Sequence, residues 1–470
     1  MMKHVHIYPL LLVALAGCTG GSKKPGTDTT SAPAFTGANG EVKLITIDPG
    51  HFHASLVQKL MYEQIAPTVH VYAPQGPDVA DYLAAIEGFN SRADAPTAWT
   101  EKTYYGADFL QKALDEKAGN VVVLAGNNNR KIDYITASVN AGLNVFADKP
   151  LVISKEGFDK LEAAFNTATE KGLFLYDIMT ERFEITTIIQ RELSKIPEVF
   201  GKLVDGTPDE PAISKESVHH FYKPVAGKTV KRPAWFFDVT QQGEGIVDVT
   251  THLVDLIQWE AFPEQPLKKS DVEILSARHW PTAVTKEQFT QATQMDAFPD
   301  FLKNNVADGA LQVYSNGEFI YKLRGKTAKV SVIWNFQAPE GTGDTHYSIM
   351  RGSLCELIIK QGAEENYKPA VFIRATINDG LATFEAGLQK AVNQDIANMY
   401  PGLKLVKLED KLWTVDIPDK YKVGHEAHFG EVTKTYLRFL KRGKMPEWEV
   451  PNMLVKYYTT TSALEMAKKN

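Results

Sequence analysis

Between Val42 and Asp177 the sequence alternates short apolar runs with longer stretches of helical periodicity, and this alternation constrains the fold more than any other feature. The runs Val42–Ile47, Val69–Tyr72, Val121–Ala125, Val145–Ala147 and Leu173–Tyr176 have the length of strands, and amphipathic stretches such as Lys131–Ala141 and Lys155–Lys171 lie between them. Strand and helix in regular succession argue for βαβ units around a parallel sheet. Helix-end chemistry agrees: Ala141-Gly142 closes one helix, and Ser154 opens the next with Glu156 in its first turn.

Beyond residue 181 the pattern changes. A helical segment at Ile185–Leu193 and a strand near Val199–Val204 are followed by long strand-like stretches. Leu311–Tyr314 and Phe319–Leu323 flank Asn316-Gly317, which predicts a two-residue hairpin. With Ala328–Phe336 and Tyr347–Lys360 they predict an open, largely antiparallel sheet, and Ala427–Leu440 and Asn452–Ala467 read as surface helices. The expected fold class is α/β: a Rossmann-like, doubly wound parallel sheet over residues 41–180, then an α+β domain with a large antiparallel open sheet over 181–470. At 470 residues, 44% apolar and 23% charged, the chain can fill two such cores. A net charge of -6, with no long basic stripe, argues against a nucleic-acid partner.

The N-terminus has a basic Lys3 and an apolar run from Val5 to Ala16, too short to span a bilayer but suited to a signal peptide over residues 1–17. Leu15-Ala16-Gly17-Cys18 resembles the lipobox of bacterial lipoproteins, which implies acylation of Cys18 and a membrane anchor. Residues 18–40, rich in Gly, Ser, Thr, Lys and Pro, read as a flexible tether. The other cysteine, Cys355, sits in a strand-like run as a small buried hydrophobe, so no internal disulfide is expected once Cys18 is acylated.

A dinucleotide fold places a G-x-G-x-x-G turn after its first strand and an acid after its second. Here the turn is Asp48-Pro49-Gly50-His51-Phe52-His53-Ala54, with Asp48 and His53 where glycines are usual, and no carboxylate follows the second strand before Asp78. A carboxylate at position 48 would repel a pyrophosphate unless screened. His51 and His53 read as packing or hydrogen bonding within this rebuilt turn, because two histidines alone do not complete a metal site, and no metal is expected. His425-Glu426-Ala427-His428 lacks the H-E-x-x-H spacing, and His219-His220 are adjacent, so both pairs read as structural.

Ala141-Gly142-Leu143-Asn144-Val145-Phe146-Ala147-Asp148-Lys149-Pro150-Leu151 resembles the A-G-x-x-V-x-x-E-K-P-L segment of the Gfo/Idh/MocA oxidoreductases, with Asp148 for the usual glutamate. Ala125-Gly126-Asn127-Asn128 stands at that family's A-T-P-N position, and Glu181-Arg182-Phe183 is similar to its R-F segment. An independent match is Gly243-x-Gly245-x-x-Asp248-x-x-x-His252, similar to the family's glycine-rich turn and D-x-x-x-H helix. Asp248 and His252 lie four apart in a helix-patterned run, one turn apart on one face.

The resemblance implies an oxidoreductase acting on a sugar, glycoside or cyclic polyol, with NAD or NADP tightly bound. Its implied catalytic residues are Lys149, Asp248 and His252: His252 as base, Asp248 orienting the imidazole, Lys149 stabilising the alkoxide. Asp48, Gly50, His51, His53, Gly126, Asn128 and Pro150 are the expected cofactor contacts, and Arg182, Tyr222, Lys223 and Trp235 the expected substrate contacts. A periplasm-facing location, net redox-neutral turnover and a homo-oligomer formed through the open sheet complete the expectation. The competing reading is a carbohydrate-binding lipoprotein built on a decayed dehydrogenase, favoured by the altered turn.

Overall fold

The computed structural model describes residues 35–469 except 226, 227 and 230, and the statements below concern those residues. The expected signal peptide, Cys18 and most of the tether lie outside the described residues.

Six strands, β1 (Leu44–Ile47), β2 (Thr68–Ala73), β3 (Thr100–Tyr105), β4 (Val121–Leu124), β5 (Asn144–Asp148) and β6 (Leu175–Ile178), form a parallel sheet in the order β3-β2-β1-β4-β5-β6. This is the order of a doubly wound dinucleotide-binding sheet, and the direction of winding reverses between β1 and β4, where such sheets bind ligands beyond their C-terminal ends. β1, β4, β5 and β6 are buried throughout, as their apolar runs require. β3 was not anticipated, because Thr-Glu-Lys-Thr-Tyr-Tyr is a polar edge strand that no apolar run announces. The helix Asn128–Asn140 ends at Ala141, with Gly142 at φ +84°, and Ser154 caps Lys155–Glu170 by accepting the Gly157 N–H at 3.1 Å.

The second sheet has ten strands: β7 (Ile213–Tyr222), then, beyond a small ribbon of β8 (Pro224–Val225) and β9 (Lys228–Thr229), β10 (Val272–Thr285), β11 (Val306–Ala307), β12 (Ala310–Leu323), β13 (Lys326–Gln337), β14 (Thr345–Arg351), β15 (Cys355–Lys360), β16 (Ala370–Ala375), β17 (Lys404–Glu409) and β18 (Leu412–Asp416). Their order is β10-β12-β13-β7-β14-β15-β16-β18-β17, with β11 on β12, and every pairing is antiparallel except β13 with β7.

Three expectations are corrected. Asn316-Gly317 makes no hairpin and lies inside β12, which runs unbroken from Ala310 to Leu323. Gly317 is there because Ile246 packs against it: a Cβ at 317 would stand 2.8 Å from the Ile246 Cβ. No strand forms over Val199–Val204; Pro197 begins a single helical turn, Pro197–Phe200, and only Leu203 makes a bridge, to Gly352. The last helix, Glu449–Ala467, is no surface helix, since Met453, Lys456, Tyr457, Thr459 and Thr460 are fully buried. The helix before it, His425–Arg442, puts Phe429, Val432 and Tyr436 into the core of the first sheet, with Tyr436 stacked on Phe146 at 4.6 Å.

Candidate active site

β5 ends at Asp148, and Lys149, next in the chain, enters a cavity of about 780 Å³. The Lys149–Pro150 peptide is cis, and the backbone here is pinned from beneath by buried Lys131, whose Nζ donates to the Asp148 carbonyl (2.8 Å), the Pro150 carbonyl (3.1 Å) and Asn128 Oδ1 (2.6 Å). With no carboxylate bonded to it, burial lowers the Lys131 ammonium to about 8. Lys149 Nζ donates to Asp248 Oδ1 at 2.7 Å, and Gln242 Nε2 donates to the other Asp248 oxygen at 3.0 Å. Burial would raise the Asp248 carboxyl, but Lys149 outweighs it and holds the group below its ordinary value.

His252 lines the same cavity, so all three expected catalytic residues converge. Their coupling differs from the sequence reading. The helix is Thr250–Ala261, and Asp248 lies in the turn before it, which the close approach of Gly245 to β12 fixes: a Cβ at 245 would fall 1.8 Å from the Ser315 carbonyl oxygen. From that turn Asp248 bonds Lys149 and Gln242, and no hydrogen bond joins it to His252. His252 Nδ1 is buried without a hydrogen-bond partner, and burial, reinforced by Lys149, lowers the ring to about 3, so it is neutral.

The turn after β1 brings His51 and His53 to Asp148. His53 Nδ1 lies 2.9 Å and His51 Nδ1 3.7 Å from Asp148 Oδ2, while Asp148 Oδ1 is buried without a partner. His53 Nε2 meets His425 Nε2 at 3.3 Å, and His425 Nδ1 lies 3.3 Å from Glu181 Oε1. Burial first, then neighbouring imidazoles, hold His51 and His53 well below their usual value. Burial would raise Glu181, but its bond and attraction to His425 outweigh this and hold it well below the carboxylate range. The reason for expecting no metal, two histidines alone, does not survive folding, since Asp148 is a third donor beside them.

A second cavity, about 760 Å³, opens beyond β1 and β2, between the rebuilt turn and Lys231–Phe236. Asp48 adopts φ +47° and accepts the Tyr134 hydroxyl at 2.7 Å, so its carboxylate is engaged. Gly126 allows the turn to sit down, because a Cβ there would lie 2.3 Å from the Asp48 carbonyl oxygen. Asp78 reaches this cavity and accepts the Trp235 indole N–H at 2.8 Å; burial raises its carboxyl. Arg232 stands between the two cavities, lining both, with its guanidinium bonded to the carbonyls of Phe221 (2.8 Å) and His220 (3.1 Å) and 4.3 Å from the Phe236 ring centroid. Burial lowers it to about 10.

Several expected contacts fall elsewhere. Arg182 does not line the cavity: its guanidinium is buried against Asp255 (2.6 and 2.7 Å) and Glu449 (3.1 Å), so it is structural. Tyr222 stacks on Phe336 at the end of β7, outside both cavities, and Trp235 lines the β1–β2 crevice rather than the Lys149 cavity. Asn128 lines the Lys149 cavity, but its amide is spent on the Gln242 carbonyl (2.7 Å) and Lys131, and Pro150 offers its carbonyl to Lys131. Lys223 does line that cavity, ion-paired with Asp344. Sequence reasoning missed Asp344, which collects His219 (2.9 Å), His220 (3.2 Å) and Lys223, and missed Glu181. His219, His425 and His428, read as structural, stand on the cavity wall. Only the density of histidine in three short segments could have flagged them.

A family model described as "Putative oxidoreductase C terminal domain" matches residues 189–468. The chain is 56% identical to a crystal structure of a "putative oxidoreductase" from Parabacteroides merdae ATCC 43184, over 93% of this chain and all of that one, with a TM-score of 0.91. Two more distant structures share the fold: levoglucosan dehydrogenase in complex with NADH and levoglucosan (12% identity, TM-score 0.57, 91% of this chain and 97% of that one), and GenD2 from gentamicin A biosynthesis in complex with NAD (15%, 0.53, 95% and 97%). Among curated proteins none matches the sequence.

Proposed function

Because the chain belongs to the oxidoreductase family defined by that C-terminal domain, we propose that it transfers hydride at a secondary alcohol of a sugar, glycoside or cyclic polyol, using NAD or NADP. The observation that carries this reading is that the crevice beyond β1 and β2 and the Lys149 cavity, which spans the switch point between β1 and β4, share His51, Phe52, Arg232 and Phe236 as wall.

The crevice suits a dinucleotide. Gly50 and Gly76 leave it open where they line it, Lys231 and Arg232 bring cations towards a diphosphate, and the Asp48 carboxylate is engaged by the Tyr134 hydroxyl. Asp78 offers the acid for ribose hydroxyls that β2 itself lacks. When bound, the nicotinamide supplies the acceptor and donor of hydride. The chain's own residues manage the proton. Lys149, held by Asp248, donates to the substrate oxygen and stabilises alkoxide charge. His252, kept neutral by burial, presents a lone pair to the hydroxyl proton. Asp248 positions Lys149, and Lys223 and His219, gathered by Asp344, face the rest of the ring.

Location belongs to the same proposal: acylated Cys18 anchors the chain at the bacterial envelope, facing the periplasm. No described helix is long and apolar enough to cross a membrane. With no exchanging nicotinamide pool outside the cytoplasm, the cofactor is retained and hydride returns to the substrate or a second sugar. Self-association uses the outer face of the second sheet, where Tyr314 and Ile333 are exposed. Purified protein should release nicotinamide on denaturation, read by ultraviolet absorbance and mass spectrometry. None released, and none taken up on incubation, would favour the carbohydrate-binding alternative instead. Cys18→Ala should move the protein from the membrane to the soluble fraction with activity unchanged.

A further inference from the structure

We infer that His51, His53 and Asp148 bind one divalent first-row transition-metal ion, Zn²⁺ by preference, in the wall of the cavity that holds Lys149. The inference is independent of the oxidoreductase reading. Three observations support it, the first being geometry. One donor atom from each residue lies within 4.8 Å of the other two. Ligands about 2.0–2.2 Å from a tetrahedral zinc ion stand roughly 3.3–3.6 Å apart. The separations from Asp148 Oδ2, 2.9 Å to His53 Nδ1 and 3.7 Å to His51 Nδ1, bracket that edge.

The second observation is Asp148 itself. It is 3% exposed, and its Oδ1 has no hydrogen-bond partner. A buried carboxylate oxygen left bare is costly in a finished structure, and such an atom calls for a partner, which a bound cation supplies. Lys149, the neighbouring cation, does not serve it, because its ammonium is turned onto Asp248 at 2.7 Å.

The third is the chain of contacts Asp148, His53, His425, Glu181. It has three links: Oδ2 to Nδ1 at 2.9 Å, Nε2 to Nε2 at 3.3 Å, and Nδ1 to Oε1 at 3.3 Å. With a metal ion on His53 Nδ1, the far nitrogen of that ring, Nε2, meets His425 Nε2, and His425 Nδ1 meets Glu181 Oε1. A metal-bound imidazole whose far N–H is held by a chain ending on a carboxylate is the outer arrangement such sites use to fix the tautomer. Two imidazoles and a carboxylate suit Zn²⁺ and its neighbours rather than Mg²⁺ or Ca²⁺, and leave a coordination position for an oxygen from the cavity.

The test uses the untagged full chain, stripped with a chelator and dialysed. Calorimetry with Zn²⁺ should give one equivalent per chain, and Co²⁺ should develop ligand-field absorption, while Mg²⁺ does neither. Asp148→Asn, which keeps the shape, and His53→Gln should each weaken Zn²⁺ binding at least about 10²-fold; His425→Ala should weaken it about 10- to 100-fold, as an outer partner does. Absence of Co²⁺ bands in the wild-type chain, or Zn²⁺ bound equally by wild type and folded Asp148→Asn, overturns the inference. Nucleotide content measured on the same samples separates the two readings: metal without nucleotide sinks the oxidoreductase proposal and leaves this one standing, and the converse result does the reverse.

Discussion

Two clusters of buried charge lie side by side in this sequence and differ in how far they are satisfied. In one, Arg182 grips both oxygens of Asp255 and reaches Glu449, Lys456 bridges Asp177 (2.7 Å) and Asp255 (2.9 Å), and Tyr457 donates to Asp177 (2.7 Å). None of these six side chains has a buried polar atom without a partner. In the other cluster Asp148 Oδ1, His252 Nδ1, Gln242 Oε1 and His428 Nδ1 are all unpartnered, and all four residues line one cavity. Glu181 and Arg182 are adjacent, and His252 and Asp255 share a helix, yet each pair divides between the clusters. A fully paired network rigidifies the join between the first sheet, the Thr250–Ala261 helix and the C-terminal helix. An array with bare polar atoms around a cavity leaves donors and acceptors free to meet water or a bound group.

The comparison breaks first at Arg182. Arg182→Ala should cost about 3–5 kcal/mol in urea unfolding, because Asp255 and Glu449 remain buried without their cation. Turnover per folded molecule, and KM, should be unchanged; a raised KM with intact stability would restore Arg182 to substrate binding. Lys149→Ala and His252→Ala should behave oppositely, each lowering turnover on the order of 10²-fold. Lys149→Ala should lose less stability than Arg182→Ala, since Asp248 keeps Gln242 and borders the cavity. Stable variants with full turnover would end the catalytic assignment.

The sequence made one cluster legible and mislabelled part of the other, for a physical reason. Lys149, Asp248 and His252 sit in short motifs that resemble those of a known family, so the resemblance implied their convergence without the fold. Arg182 sits in a motif too, but whether it faces the cavity or Glu449 is decided by a helix 267 residues away. The same distance hid His425, which joins His53 across 372 residues, and Asp344, which meets His219 across two strands. The parallel sheet was readable because β1, β4, β5 and β6 are apolar on both faces, whereas β3 is polar and β12 runs through an Asn-Gly that usually turns. There tertiary packing, Ile246 on Gly317, outweighs turn propensity.

Acid sharpens the comparison because the clusters titrate in different windows. His252 falls from about 6.5 in the unfolded chain to about 3 when folded, so between those values the unfolded state binds a proton that the folded state refuses. Stability from this group is complete above pH 6.5 and falls as pH drops, by about 1.4 kcal/mol per pH unit within the window. His51 and His53 shift in the same direction. Asp255, which Arg182 and Lys456 hold far below its ordinary value against the effect of burial, loses stability only below the unfolded carboxylate value near 4. Unfolding midpoints measured from pH 7 to 4 should therefore decline in the wild type and decline less in His252→Asn. An identical slope in both would remove His252 from the array.

The smallest effect concerns Asp248, and it decides which partner that carboxylate serves. Asp248→Asn keeps an oxygen for Lys149 but removes the charge, and its amide now opposes the Gln242 amide, so turnover should fall only about tenfold, near 1.4 kcal/mol. The geometry says that this loss passes through Lys149. On a Lys149→Ala background Asp248→Asn should then cost almost nothing, because the ammonium it positions is gone, while on a His252→Ala background much of its effect should remain. If Asp248 oriented the imidazole instead, the pattern would invert, with the effect vanishing beside His252→Ala and persisting beside Lys149→Ala. Measuring kcat and KM for the five single and double variants separates the two, since a merely structural Asp248 would lower the folded fraction equally on both backgrounds. The 2.7 Å contact with Lys149, and the lack of a hydrogen bond to His252, predict the first outcome.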